Sequence, residues 1–177
     1  MTKELWHYGC LFCRSGTEVA ISAYINQSVE AVEAVAPMRT RRKTVAGKAV
    51  EDRTLLLPGY VFFRSLYTEQ PLLLTCIPNV LKLLEYDALC WELIGRDQEF
   101  AAFLFDNDPI RPPQVMFIEG RIHFMDGFLY GHDDAVLRVN RRKKTVEVKL
   151  GLDRLAFWIG YTEPISVDIE GSIQNGR

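Results

Sequence analysis

Long apolar runs are missing from this 177-residue chain. None reaches the ~18–20 residues that a membrane-crossing helix needs, so no membrane association is expected. The first residues, Met1-Thr2-Lys3-Glu4-Leu5-Trp6-His7, lack the charged-then-apolar order of a secretory signal. The expectation is a cytoplasmic protein. A charge excess is missing too: 21 Lys+Arg stand against 23 Asp+Glu, a net charge of −2. That argues against nonspecific nucleic-acid binding by the whole surface, so any basic site must be local. Histidine is scarce. His7, His123 and His132 are scattered, no Ser/His/Asp or Cys/His spacing recurs, and no glycine-rich phosphate loop is present. With no nucleophile, metal set or acid–base pair in view, no enzyme is expected. Asp133-Asp134 beside His132 reads as a solvated turn.

Cysteine is also sparse, with four residues at 10, 13, 76 and 90. Cys10 and Cys13 have C-x-x-C spacing, which can mean zinc or redox chemistry. They sit inside Tyr8-Gly9-Cys10-Leu11-Phe12-Cys13, a strand-like run with no second C-x-x-C elsewhere. Positions three apart on a strand face opposite ways, so the thiols should not converge on one metal. Buried, reduced cysteines are expected, and no cofactor.

What is present is an ordinary globular balance, 48% hydrophobic and 25% charged, in one to two domains. The chain is organised around Leu55-Leu56-Leu57-Pro58-Gly59-Tyr60-Val61-Phe62-Phe63-Arg64. Pro58-Gly59 signals a turn and a strong β run follows. Alternation points Tyr60 and Phe62 one way, Val61 and Phe63 the other. Both faces are apolar. Either the strand is buried on both faces within its own domain, or one aromatic face is left open to dock a partner.

Around this strand the pattern predicts β-α-β-β-α-β-α, an antiparallel sheet with helices on one face. Tyr8–Cys13 is the first strand. Ser15-Gly16-Thr17-Glu18 matches a capping box, with a helix over roughly 17–27 whose apolar face is Val19, Ala20, Ala23, Tyr24 and Ile25. Residues 32–38 are extended, and a hairpin arm turns at Gly47. A short helix spans 69–77, a strand 80–86 and a helix about 97–105, with Phe100, Phe103 and Leu104 in one stripe. Residues 106–114 hold three prolines and three charges in nine positions, and read as an exposed, stiff linker. From Phe117 the pattern becomes short strands with even turns, about five in all, of small-barrel size. Val136–Val139 and Val146–Leu150 pair around the basic turn Arg141-Arg142-Lys143-Lys144. A second basic run is Arg39-Thr40-Arg41-Arg42-Lys43. Either run alone is a solvated face or a polyanion contact.

These motifs in this order resemble the NusG family of transcription elongation factors. Leu57-Pro58-Gly59-Tyr60-Val61-Phe62 matches the family's LPGYVF-type strand. Gly16-Thr17-Glu18 matches its TGxE-type helix start, and Ala36-Pro37 its extended segment. Glu119-Gly120-Arg121-Ile122 through Gly127, Gly131 and Val139 looks like a KOW motif. The resemblance implies an α+β N-terminal (NGN-like) domain over residues 1–105, a linker over 106–115 and an SH3-like KOW barrel over 116–177. It also implies RNA polymerase as partner, through the clamp of its largest subunit. By matching position the docking residues are Cys10, Phe12, Leu57, Pro58, Tyr60 and Phe62, with Tyr60 and Phe62 expected to be partly exposed.

Departures from the family narrow the reading. The stretch 20–28, which in the paralogue RfaH reads DNA with basic and polar side chains, has no positive charge here, and Cys76-Ile77 replaces polar and basic residues. Arg14 survives as a basic position. The barrel turn that contacts Rho and a ribosomal protein in general NusG proteins reads Leu150-Gly151-Leu152-Asp153, without its aromatic. The chain therefore looks like a specialised paralogue similar to the LoaP antiterminators. It is expected to act as a monomer on selected operons, with the barrel contacting nascent RNA. Candidate nucleic-acid residues are Arg14, Arg138, Arg141, Arg142, Lys143, Lys144 and Lys149, and non-template DNA is a further partner the resemblance admits. A general NusG-type elongation and termination factor, or a ribosome-associated RNA-binding KOW protein, are the alternatives. The β-branched residues of 136–150 favour a persistent hairpin over refolding into helices.

Overall fold

The computed structural model describes residues 5–69, 71–87, 90–149 and 156–164. Among them the order is β1 (His7–Cys13), α1 (Glu18–Ser28), β2 (Val32–Val35), β3 (Met38–Val45), β4 (Lys48–Leu55), β5 (Tyr60–Ser65), α2 (Pro71–Leu74), β6 (Val80–Leu83) and α3 (Arg96–Asn107). The strands β7 (Val115–Ile118), β8 (Arg121–Phe124), β9 (Val136–Asn140), β10 (Thr145–Lys149) and β11 (Ala156–Gly160) follow. The fold is α+β with antiparallel sheets, followed by a small β unit. A four-stranded sheet runs β2-β5-β1-β6, and every pairing in it is antiparallel. β5 lies next to the centre, as its two apolar faces require. The register sets Cys10 opposite Phe62 and Phe12 opposite Tyr60.

The two faces of this sheet belong to different cores. Leu11, Cys13, Val61 and Phe63 pack with Ile21 and Ile25 of α1, Leu74 of α2 and Trp91. The Phe63 and Trp91 rings stack, centroids 5.6 Å apart. A Cβ at Gly9 would sit 2.2 Å from the Phe63 ring, so only glycine leaves room for it. On the other face, Cys10 and Phe62 lie under Phe100, Ala101 and Leu104 of α3. Phe62 meets Phe100 edge-on at 5.5 Å. Helices therefore cover both faces, not one. The apolar stripe at 100 and 104 matches a sheet face already lined by aromatics, and α3 closes it.

α1 also differs from its expected orientation. Its buried positions are Glu18, Ile21, Ser22 and Ile25, while Val19 and Tyr24 are 58% and 51% exposed. The cause is Glu18. Its carboxylate accepts from the Gly16 N–H at 2.7 Å and the Gly59 N–H at 2.6 Å. That turns position 18 inward, and 21, 22 and 25 follow by helical period. Ser15 makes no capping bond; Thr17 is the N-cap, and its hydroxyl donates to the Arg14 carbonyl.

Residues 106–115 are not a free spacer. α3 runs on to Asn107. Ile110 is buried, its N–H donates to the Met38 carbonyl at 2.8 Å, and its own carbonyl accepts from Thr40 at 3.0 Å. Val115 is buried at the start of β7. A segment with few backbone donors still docks where β3 offers an unpaired edge.

The β unit pairs β7 with β8, and β11-β10-β9 as a three-stranded sheet. Val146, Val148, Phe157 and Ile159 point into its interior. Its core continues into that of α3: Phe100 stacks on Phe157 at 5.6 Å and meets Phe128 at 4.9 Å. The expected strand at 165–169 and the turn 150–153 lie outside the described residues.

Candidate functional site

The Leu57-Pro58-Gly59-Tyr60 turn is held from two sides. Gly59 has φ +90°, where a side chain would be strained, and its carbonyl accepts from the Cys13 N–H at 2.8 Å. Its N–H is one of the two donors bound by Glu18. The Gly16-Thr17-Glu18 and Leu57-Pro58-Gly59-Tyr60 motifs thus form one device, a buried carboxylate bridging two glycine amides. Sequence reasoning placed Glu18 in a capping box and missed this bridge. Glu18 and Gly59 lie far apart in the chain, so no local pattern signalled the bridge.

At this end of the sheet the Phe12 and Tyr60 rings stand 5.3 Å apart, tilted, and half-buried. Pro58 beside them is exposed. The other proposed docking residues lie beneath. Cys10, Leu57 and Phe62 are buried, Phe62 to 1% exposure. The expectation of a partly exposed Phe62 is therefore corrected, because α3 occupies the position a partner was to take. Burial, joined by the nearby Cys13 and Asp97, pushes the Cys10 thiol well up, which leaves it a neutral packing group. Cys10 and Cys13 fall in separate cores, as alternation requires.

The candidate nucleic-acid residues do not form one patch. Arg14 is exposed at the end of β1. Arg138 is exposed and pairs across the hairpin with Glu147 at 3.5 Å. The Arg141 guanidinium lies over the Phe117 ring, 4.2 Å from its centroid, and donates to the Gly120 carbonyl. Arg142, Lys143 and Lys144 are exposed in the β9–β10 turn, where the Lys143 N–H donates to Asn140 Oδ1 and Lys144 Nζ lies 3.6 Å from Glu163. Lys149 lies apart from that turn, in a cleft between α3 and the barrel with Arg96 and Phe103. Lys143 and Lys144 instead share a groove with Arg39 and Arg41 of β3. The two basic runs of the sequence converge there, which neither run could announce alone.

The three histidines each face a different carboxylate: His7 with Glu92 at 2.8 Å, His123 with Asp133 at 2.8 Å, His132 with Glu99 at 3.7 Å. Among the described residues no cluster of three or more His, Cys, Asp or Glu could hold a metal ion. No helix among them is long and apolar enough to cross a membrane.

No family model and no curated protein matches the chain. Among solved structures, one of NusG from Thermotoga maritima, describing domain interaction in that protein, is similar at a TM-score of 0.53. The identity is 16%, over 88% of this chain and 92% of that one. A likeness of that extent and identity shows a NusG-like fold along both the sheet and the barrel portions.

Proposed function

We propose that the protein is a non-enzymatic transcription elongation factor that docks on RNA polymerase through the turn end of its sheet. The reading is carried by one observation: in a NusG-like fold, Phe12 and Tyr60 stand half-exposed beside Pro58 on a turn pinned by Glu18. A rigid aromatic pair next to an exposed proline loses little freedom on binding an apolar helical surface such as the polymerase clamp. Cys10, Leu57 and Phe62 support this pair from below.

Residues 1–105 act as the docking part and 116–177 as the part that meets nascent RNA, through the turn Arg141–Lys144 with Arg138. The interruption of positive charge along 20–28 and the missing aromatic at 150–153 favour a specialised antiterminator, similar to LoaP, that keeps polymerase processive on selected operons. A monomer in the cytoplasm fits that role, with no cofactor.

The test is a pull-down of purified polymerase with the full chain and its Tyr60→Ala variant. Burying one aromatic contributes ~1.5–3 kcal/mol, so binding should weaken roughly ten- to a hundred-fold while thermal stability changes little. Equal binding by Tyr60→Ala, or capture of ribosomes in place of polymerase, rejects the docking surface.

A further inference from the structure

Residues of the two basic runs, far apart in the chain, line one open groove of about 850 Å³. Arg39 and Arg41 stand on the β3 side, Lys143 and Lys144 on the barrel side, and Arg111 enters from the connecting segment. Among the described lining residues Glu51 is the one carboxylate, and Glu163 lies 3.6 Å from Lys144 Nζ at its margin. Trp158 of β11 lies in the same groove and is 37% exposed, on a strand whose neighbours Phe157 and Ile159 are buried.

The groove is built before any ligand arrives. The Arg39 guanidinium donates to the Trp158 carbonyl, tying the hairpin to the barrel. Thr40 donates to the Ile110 carbonyl at 3.0 Å, Thr162 to Pro113 at 2.9 Å and Tyr161 to Lys144 at 3.0 Å, all through backbone N–H groups. Those bonds link the hairpin, the connecting segment and the barrel, so little ordering is left for binding to cost.

Positive charge outweighs negative charge in the groove, five cations to one carboxylate among the described lining residues. Burial, and then the neighbouring Arg41 charge, hold the Arg39 guanidinium below its ordinary pKa. An anionic ligand would offset the crowding of the Arg39 and Arg41 charges.

We propose that this groove binds a single-stranded nucleic-acid segment, with Arg41, Arg111, Lys143 and Lys144 on its phosphates and an unpaired base stacked on Trp158. Arginine suits forked phosphate contact and lysine supplies point charge. An exposed indole beside cations is the pairing that single strands use, and a base inside a duplex has no face to offer it. An acidic peptide would use the cations and leave the indole idle. The inference rests on the reading that the barrel turn meets RNA, through Lys143 and Lys144. It adds that the first part of the chain supplies half the site.

The test uses the full chain and fluorescein-labelled oligouridine RNA, with oligothymidine DNA as the second arm, followed by anisotropy at about 50 and 200 mM salt. Four phosphate contacts give a log–log salt slope of roughly −3 for a single strand. Arg41→Ala and Arg111→Ala, both at exposed positions, should each weaken binding severalfold and reduce the slope by about 0.7, as should Lys143→Ala. Trp158→Leu should weaken it roughly 5- to 100-fold with the slope unchanged, and Trp158→Phe should retain most affinity. Tighter binding of RNA identifies the transcript as the source, and of DNA the displaced strand; either supports the groove. Loss in Lys143→Ala with no change in Arg41→Ala and Arg111→Ala overturns the groove and leaves the barrel turn as the RNA site. No binding by the unaltered chain overturns both. Displacement by polyglutamate together with an inert Trp158→Leu overturns the nucleic-acid assignment in favour of an acidic peptide.

Discussion

The two faces of the central sheet are made of the same kind of residue and closed in different ways. On one, Phe63 and Val61 are covered by α1, α2 and Trp91, all within the first 91 residues. On the other, Phe62 and Cys10 begin a core that passes through Phe100 and ends at Ile159 and Tyr161 in the barrel. One core is closed by neighbours in the chain, and the other joins both portions of the molecule through α3 and the buried Ile110 and Val115. The contrast teaches that an apolar strand face states how much must be covered, not by what.

The largest expected effects come from emptying each core in turn. Phe63→Ala and Phe100→Ala should each cost about 3–5 kcal/mol, read from urea denaturation. Their signatures should differ. Phe100 touches Phe62, Phe128 and Phe157. Its loss should loosen the barrel, and limited proteolysis between Asp106 and Gln114 should accelerate. Phe63→Ala should destabilise without that selective cutting. If both variants open the segment equally, the cores form one cooperative unit and the contrast between the faces fails.

A comparable effect should follow from the bridge that pins the Pro58-Gly59 turn. Glu18→Ala leaves the Gly16 and Gly59 N–H groups without their acceptor. Hydrogen bonds to a charged group are worth ~1.5–3 kcal/mol each, so losing both should cost roughly 3–6 kcal/mol. Amide exchange at Gly59 should rise with it. An unchanged melting temperature in Glu18→Ala would show that the turn is held by strand pairing alone.

The smallest effect sharpens the boundary between α3 and the barrel. Arg96 donates to Asp134 at 2.7 Å, and that bond holds the Asp134 carboxyl below its ordinary pKa. A carboxyl depressed in the folded state contributes stability above its unfolded pKa, about 4, and loses it as pH falls through the folded value. The exposed pair should therefore give a slight drop in melting temperature below about pH 4 that Arg96→Ala removes. A pH profile identical in the two proteins would show that the pair does nothing for the boundary.

Much of this molecule was readable from its sequence because the signals are local. The alternation in 8–13 and 60–65 made two strands and sent Cys10 and Cys13 to different cores. The spacing of Phe100, Phe103 and Leu104 made α3, and Gly47 turned the β3–β4 hairpin. Each of these follows from the period of a backbone within a few residues. α1 was placed within a residue at each end, yet its inward face was misjudged. Hydrophobicity named Val19 and Tyr24, but a buried carboxylate bonded to Gly59, 41 positions away, set the rotation.

The same limit applies to function. By itself the sequence determined the elements, the absence of an apolar span, the two basic runs and the apolar character of both sheet faces. Only the tertiary structure decided that α3 covers Phe62 and leaves Phe12 and Tyr60 half-open. Only it decided that Ile110 docks against β3 and that Arg41 and Lys143 share a groove. Those outcomes depend on which distant surfaces meet, and surfaces meet where summed burial and hydrogen bonding are best. Such a sum runs over contacts between segments far apart in the chain, and no local period encodes it.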